Sequence, residues 1–176
     1  MVKYTFEIEG ISDLKMDAWI DGQQPKNDEG YIKQAESKIY KDGKGNLCIP
    51  AMALKAAMKL GSSEIGKKME AKKNRQTIQS AVFIEPMMLS LGKKKHDGIV
   101  RDIVTRKGVG DKVTRVPTYR PLIKNGWKVS GTINAFQNAP KEFIQASMEL
   151  AGFRFGLLSH RPEFGRFQVN KFVQVK

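Results

Sequence analysis

One cysteine, Cys48, and two histidines, His96 and His160, are all that 176 residues supply of soft metal ligands. A lone cysteine excludes an internal disulfide and fits a reducing cytoplasm. The three residues together are too few for a dedicated zinc site. Acids are short as well: 18 Asp and Glu face 31 Lys and Arg, leaving a net charge of +13. No apolar run approaches the roughly 20 residues that span a bilayer, and no basic amphipathic helix suggests a membrane surface. The start, Met1 to Glu7, alternates like a strand and carries acid, unlike a secretory signal. There is no phosphate-binding P-loop, no GxSxG elbow and no dinucleotide fingerprint. No pair of carboxylates is spaced for a metal nuclease, and Asp97 and Asp102 read as lone counter-charges in a basic stretch. No cofactor is expected. What remains is a basic protein whose surface attracts polyanions, nucleic acid foremost.

The chain opens with clean alternation over 3–9, where Tyr4, Phe6 and Ile8 share one face of a half-buried strand. Residues 10–48 are turn-rich and read as an insertion closed by a hairpin, with Ile39-Tyr40 and Leu47-Cys48-Ile49 flanking a Gly-rich turn. Pro50 suits a first helical position. Leu54, Ala57 and Met58 follow at helical spacing, and Gly61 reads as the stop. Lys67 to Arg75 is a charge run that reads as a solvated turn. A second strand is predicted over Thr77–Leu91, ending near Pro86. Residues 92–115 read as a long mobile basic loop or β-hairpin. A third strand covers Trp127 to Asn134. A helix starts near Asn138 or Ala139 and ends at Gly152. A last strand runs from Phe167 to Val175, with a bulge where Lys171 breaks the alternation. The order is βαββαβ, which makes an α+β, ferredoxin-like (RRM-like) single domain over 1–176 with two large insertions, at about 10–48 and 92–115.

Three regions carry candidate chemistry. Backbone amides where the helix begins at Pro50 can hold an anion, with Lys55 one turn in; an ordinary helix start is the plainer alternative. The stretch 152–166 interleaves Arg154, His160, Arg161 and Arg166 with Phe153, Phe155 and Phe164, a composition in which charge tracks phosphates and rings stack on bases. Alternatively, Phe155 and Phe167 belong to the core. Lys93, Lys94, Lys95, Arg101, Arg106, Lys107, Lys112 and Arg115 crowd the second insertion, which could fold over a bound strand. Arg115, Arg120 and Lys128 lie beside or on the third strand and could line a groove. His160 is the one candidate for acid–base chemistry, although a surface histidine is the plainer reading; His96, in a lysine run, is expected in solvent.

Two of these stretches resemble the RAMP superfamily of CRISPR-associated proteins. The first helix opens as Ile49-Pro50-Ala51-Met52-Ala53-Leu54-Lys55-Ala56, similar to the family's Ile-Pro-Gly-Ser-Ser-Leu-Lys-Gly. The C-terminal stretch, Gly152-Phe153-Arg154-Phe155-Gly156 and then Gly165-Arg166-Phe167, resembles its glycine-rich loop. Among members, the chain looks most like the crRNA-binding backbone subunits, or a compact phage or plasmid relative. The resemblance implies a non-catalytic protein that binds single-stranded RNA or DNA through phosphates and assembles along the strand as a homo-oligomer or ribonucleoprotein subunit. Two alternatives stay open: a metal-independent endoribonuclease using His160, and a phage interaction protein that imitates a CRISPR subunit.

Overall fold

The structure is a computed structural model that describes residues 1–22, 25–107 and 113–175. It is a mixed α/β arrangement of antiparallel sheets and four α-helices. Strand β1 (Val2–Gly10) turns Tyr4, Phe6 and Ile8 into the core, as the alternation predicts. A two-residue strand, β2 (Leu14–Lys15), follows, then helix α1 (Asp28–Ala35). The helix is a departure from expectation. Its start is set by Asn27, whose side-chain oxygen accepts from the Gly30 N–H at 2.9 Å.

The hairpin expected around residue 43 is present: the Cys48 N–H donates to the Tyr40 carbonyl at 3.0 Å and the Asp42 N–H to the Asn46 carbonyl at 2.9 Å, with the Asp42 carboxylate accepting from the Lys44 and Asn46 amides. Its second arm also pairs on its other side, where β3 (Cys48–Pro50) lies against β5 (Met88–Ser90). Helix α2 (Ala51–Ser62) starts one residue later than predicted, with Pro50 as its N-cap rather than its first residue. Gly61 is not its stop. It sits inside the helix, where a Cβ would overlap the Ser147 carbonyl and come within 2.7 Å of the Ala151 nitrogen, so glycine here permits close approach to helix α4 (Lys141–Leu150).

The charge run from Lys67 to Arg75 is helical rather than a turn, forming a 3-10 turn at Lys68–Glu70 and the first part of α3 (Ala71–Ala81). The predicted second strand is shortened accordingly. Ile78 and Val82 are four apart, a spacing that a helix also buries on one face, and strand geometry begins only at β4 (Val82–Glu85). Within β4 the predicted faces hold: Val82 and Ile84 are buried, Phe83 and Glu85 exposed.

Of the two readings of residues 92–115, the hairpin is the one found. β6 (Gly98–Lys107) pairs with β7 (Val113–Ile123) from Gly98–Leu122 to Lys107–Val113. Residues 108–112 between them, with Gly108, Gly110 and Lys112, lie outside the described residues. Strand β8 (Lys128–Ala135) buries Val129 and Ile133. Helix α4 begins at Lys141 behind Pro140, slightly later than expected, and Gly152 does not end it: the chain continues into a π-helical turn, Ala151–Phe155. Strand β9 (Phe167–Gln174) carries the predicted bulge. Glu7 faces Lys171 and Ile8 faces Val169, leaving Asn170 extra.

Strands β4, β8, β1 and β9 form one antiparallel sheet in that order. α2 and α4 supply Leu54, Ala57, Met58, Ile144 and Met148 to its buried face. β2, β7 and β6 form a second sheet, whose long hairpin reaches roughly 30 Å at about 3.3 Å per residue.

Candidate nucleic-acid interface

The basic hairpin and the glycine-rich stretch meet at a buried charged cluster. Lys15 on β2 is 2% exposed because its strand is clamped on both sides: β7 pairs with it, and its carbonyl accepts from the Ser159 N–H at 3.2 Å. Its ammonium donates to both Asp102 oxygens at 2.9 Å. It also lies 3.3 Å from His160 Nδ1 and 3.8 Å from the centroid of the Phe164 ring. Asp102 belongs to β6; His160 and Phe164 belong to the loop that follows the π-turn. One buried lysine therefore ties hairpin, first insertion and loop together. Arg120 on β7 extends the cluster, donating to Asp17 at 2.8 Å and to Thr118 Oγ1 at 2.6 Å, with Asp102 at 3.9 Å. Lys38 lies 3.3 Å from the other Asp17 oxygen.

Two acids thus serve three cations, and the electrostatics of His160 follow. Burial pushes its pKa below the usual imidazole value, and the Arg120 charge pushes the same way; Asp102 opposes, but its charge is matched by Lys15. The unfolded chain then binds a proton at His160 more readily than the folded one. Stability falls as pH drops below the ordinary imidazole pKa, about 6.5, toward the lower folded value. Acidification from neutrality to pH 5 should lower the melting temperature of the wild type more than that of His160→Asn, a substitution that suits the left-handed backbone at φ 57°. Equal losses in the two proteins, followed by circular dichroism, would refute this.

The glycine-rich loop is held by its backbone. The Leu157 N–H donates to the Gly165 carbonyl at 2.9 Å, the Gly165 N–H to the Asp13 carbonyl at 2.7 Å, and the Arg166 N–H to Ser12 Oγ at 2.9 Å. This presents Arg161 to solvent. Arg166 is half-buried, and its Nε has no hydrogen-bond partner among the described residues. Arg154 pairs with Glu64 at 2.6 Å and, with Leu60, Phe155, Arg161 and Pro162, lines an open hollow of ≈ 230 Å³. The phenylalanines divide: Phe167 is core, Phe153 is 69% exposed, and Phe164 covers the Lys15 ammonium.

On the hairpin side, Arg101 is exposed with its Nε donating to the Tyr119 hydroxyl at 3.1 Å, and Arg115 is exposed. The side chains of Arg106 and Lys107 fall outside the described residues. Lys94 and Lys95 are exposed at the hairpin's base, whereas Lys93 pairs with Asp97 at 2.6 Å. Asp97 and Asp102 are the counter-charges their context suggested. His96 is not in solvent: its side chain is 15% exposed and its Nε2 lies 2.8 Å from Glu36.

Two expectations change. Arg120 borders a hollow, but its guanidinium is spent inside the protein on Asp17 and Thr118, so it is not a free cation. At the start of α2, the Ala51 N–H already donates to the Met87 carbonyl at 2.8 Å, so that amide is not free for an anion. Lys55 stands apart from the loop and hairpin. Its ammonium lies 5.0 Å from the Phe83 ring centroid, and burial, with Lys59 nearby, lowers its pKa. The sequence reading missed Lys15, Asp17 and Trp19. Lys15 sits between Leu14 and Met16, where nothing marks it as buried. Trp19, a large ring in a polar, turn-rich stretch, was the one visible signal.

No family model matches the sequence, and no curated protein is similar to it in sequence. Similarity appears among solved structures. A chain of the cryo-EM structure of the type III-B Cmr-beta bound to cognate target RNA superposes with a TM-score of 0.63 at 16% identity. The match covers 99% of this protein and 61% of that chain, so the protein spans about three fifths of that neighbour's length. The crystal structure of Cmr6 from Pyrococcus furiosus matches with a TM-score of 0.49 at 12% identity, over 94% of this protein and 96% of that chain. The likeness to the Cmr-beta chain is one of fold. Among the described residues, no helix is long and apolar enough to cross a membrane.

Proposed function

We propose that this protein is a non-catalytic, single-stranded nucleic-acid-binding subunit of the RAMP kind, which holds a phosphate backbone between the β6–β7 hairpin and the glycine-rich loop. The observation that carries this reading is the Lys15–Asp102–His160 cluster, which fixes two basic surfaces beside each other. Lys94, Lys95, Arg115 and Arg161 are exposed on those surfaces and make no ion pair among the described residues. Arg101, Arg154, Arg166 and the cations of the hairpin's far end, Arg106 and Lys107, complete the proposed contact set.

The strand order β4-β8-β1-β9, with α2 between β1 and β4 in sequence and α4 between β8 and β9, supports a ferredoxin-like βαββαβ unit carrying residues 10–48 and 92–115 as insertions. One continuous buried cluster draws on the first insertion, both helices α2 and α4, and the sheet, which supports a single domain. RNA is favoured over DNA because the fold neighbour comes from a structure bound to target RNA. The role of His160 is to hold position: its Nδ1 faces a buried ammonium and an acid already matched, an arrangement suited to fixing a loop rather than shuttling protons.

The test is fluorescence anisotropy with labelled single-stranded RNA, single-stranded DNA and duplex of equal length across a salt series. Tight single-strand binding is expected, with RNA preferred. Each phosphate contact contributes about 0.7 to the slope of log affinity against log salt, so Arg161→Ala and Arg115→Ala should each flatten the slope by that amount while weakening all sequences alike. Absence of binding at low salt would overturn the proposal.

A further inference from the structure

Beside the charged cluster, one large ring stands almost uncovered. Trp19 is 88% exposed, while the other tryptophan, Trp127, is 5% exposed, packed on Phe167 and bonded through its Nε1 to the Ser12 carbonyl. An indole left in water forgoes much of the gain that burying such a ring brings. Trp19 is tethered at one point, where its Nε1 donates to Asp21 Oδ1 at 3.2 Å. The ring borders a hollow of ≈ 310 Å³ whose other walls include Asp17, Gln34, Lys38, Thr118 and Arg120. Arg120 and Asp17 are locked together at 2.8 Å, so this side is rigid and its charges are spoken for. Gln34, projecting from α1, offers an amide with both donor and acceptor.

A flat aromatic wall and a hydrogen-bonding amide match the needs of an unpaired nucleobase: a surface for its π-face and a partner for its edge. The ring stands alone rather than within an apolar groove, and the chain carries +13, which favours a base of a polyanion over an apolar protein surface. Trp19 also lies four residues beyond Lys15, at the root of the hairpin. We infer that Trp19 is a stacking platform for one unpaired base of the bound strand, with Gln34 at the edge of that base. This rests on the strand-binding function proposed above and adds to it a contact with a base rather than a phosphate.

The experiment uses the protein's own fluorescence, since Trp127 is buried and Trp19 is the accessible reporter. Single-stranded RNA, and a strand of equal length whose sugars carry no bases, are each titrated while tryptophan emission and anisotropy are followed. Both should bind; only the base-bearing strand should quench emission. Trp19→Ala should abolish the quenching and weaken the base-bearing strand about five- to 150-fold, leaving affinity for the baseless strand unchanged. Trp19→Phe should retain most of the difference between the strands. Binding without quenching, or an equal loss for both strands in Trp19→Ala, overturns the platform and leaves the strand-binding function standing. Failure of both strands to bind overturns both. A change of emission with protein concentration alone, removed in Trp19→Ala, would assign the ring to a contact between copies and overturn the inference.

Discussion

Asp102→Ala is expected to destabilise the protein by about 3–5 kcal/mol, the range for removing one partner of a buried ion pair. Asp102 is the acid on which Lys15 depends, and Lys15 is 2% exposed, so its charge cannot turn to water when the carboxylate is lost. The remaining neighbours do not replace it: Arg120 is itself cationic, and the Phe164 face offers only a weak substitute. The converse change is expected to be milder. Lys15→Met removes a cation and leaves Asp102 with Arg120 at 3.9 Å and His160 at 3.4 Å, so the stranded acid keeps company. Lys15→Met combined with Asp102→Leu should recover most of the loss, because a well-packed apolar pair often equals a buried ion pair. Urea denaturation of the three variants checks the order Asp102→Ala, then Lys15→Met, then the double variant nearest to wild type. A double variant no more stable than Asp102→Ala would mean that the cluster stabilises through its charges. At temperatures where Asp102→Ala remains folded, strand affinity should fall too, since β6 loses its tie to the loop.

That cluster also marks where the sequence stopped being readable. β1, β4, β8 and β9 were legible because each has one face in the core, and alternation reports that directly: Tyr4, Phe6 and Ile8, then Val129 and Ile133. The start of α2 was legible from Pro50, and the bulge at Asn170 from the broken alternation at Lys171. The errors have local causes. Ile78 and Val82 satisfy a helical and a strand spacing in part, so the boundary between α3 and β4 was ambiguous. Gly61 and Gly152 looked like helix stops because glycine in sequence does not reveal whether it serves a turn or a close approach, and here both serve contacts with other elements. Arg120 looked like a free cation because its acid, Asp17, is 103 residues away. Lys15 met Asp102 across 87 residues and His160 across 145. Pairings of that span depend on how β2, β6 and the loop are brought together, which no local pattern encodes. The basic character of the hairpin and loop was plain from composition; which of their charges are already matched was not.

Gly165→Ala is expected to cost about 2–5 kcal/mol, from two terms that act together. At φ 75° the backbone is in the left-handed region, where a Cβ costs about 1–2 kcal/mol. The added carbon also has nowhere to go: it would overlap the Leu157 carbonyl oxygen and lie 2.6 Å from the Leu157 nitrogen, both backbone atoms that cannot rotate aside. Overpacking of this kind costs about 1–3 kcal/mol. Two controls separate the terms. Gly43→Ala, where nothing stands within 4 Å of the new carbon, should stay within about 0.5 kcal/mol of wild type. Gly152→Ala meets the Phe167 carbonyl without a left-handed backbone and should fall between. The Leu157–Gly165 bond closes the loop that presents Arg161 and seats His160 against Lys15. Loosening it should therefore weaken strand binding in Gly165→Ala beyond what Gly152→Ala shows, when both are compared below their melting temperatures. A Gly165→Ala protein as stable as wild type, with unchanged strand affinity, would show that the loop's closed geometry is not what holds its arginines in place.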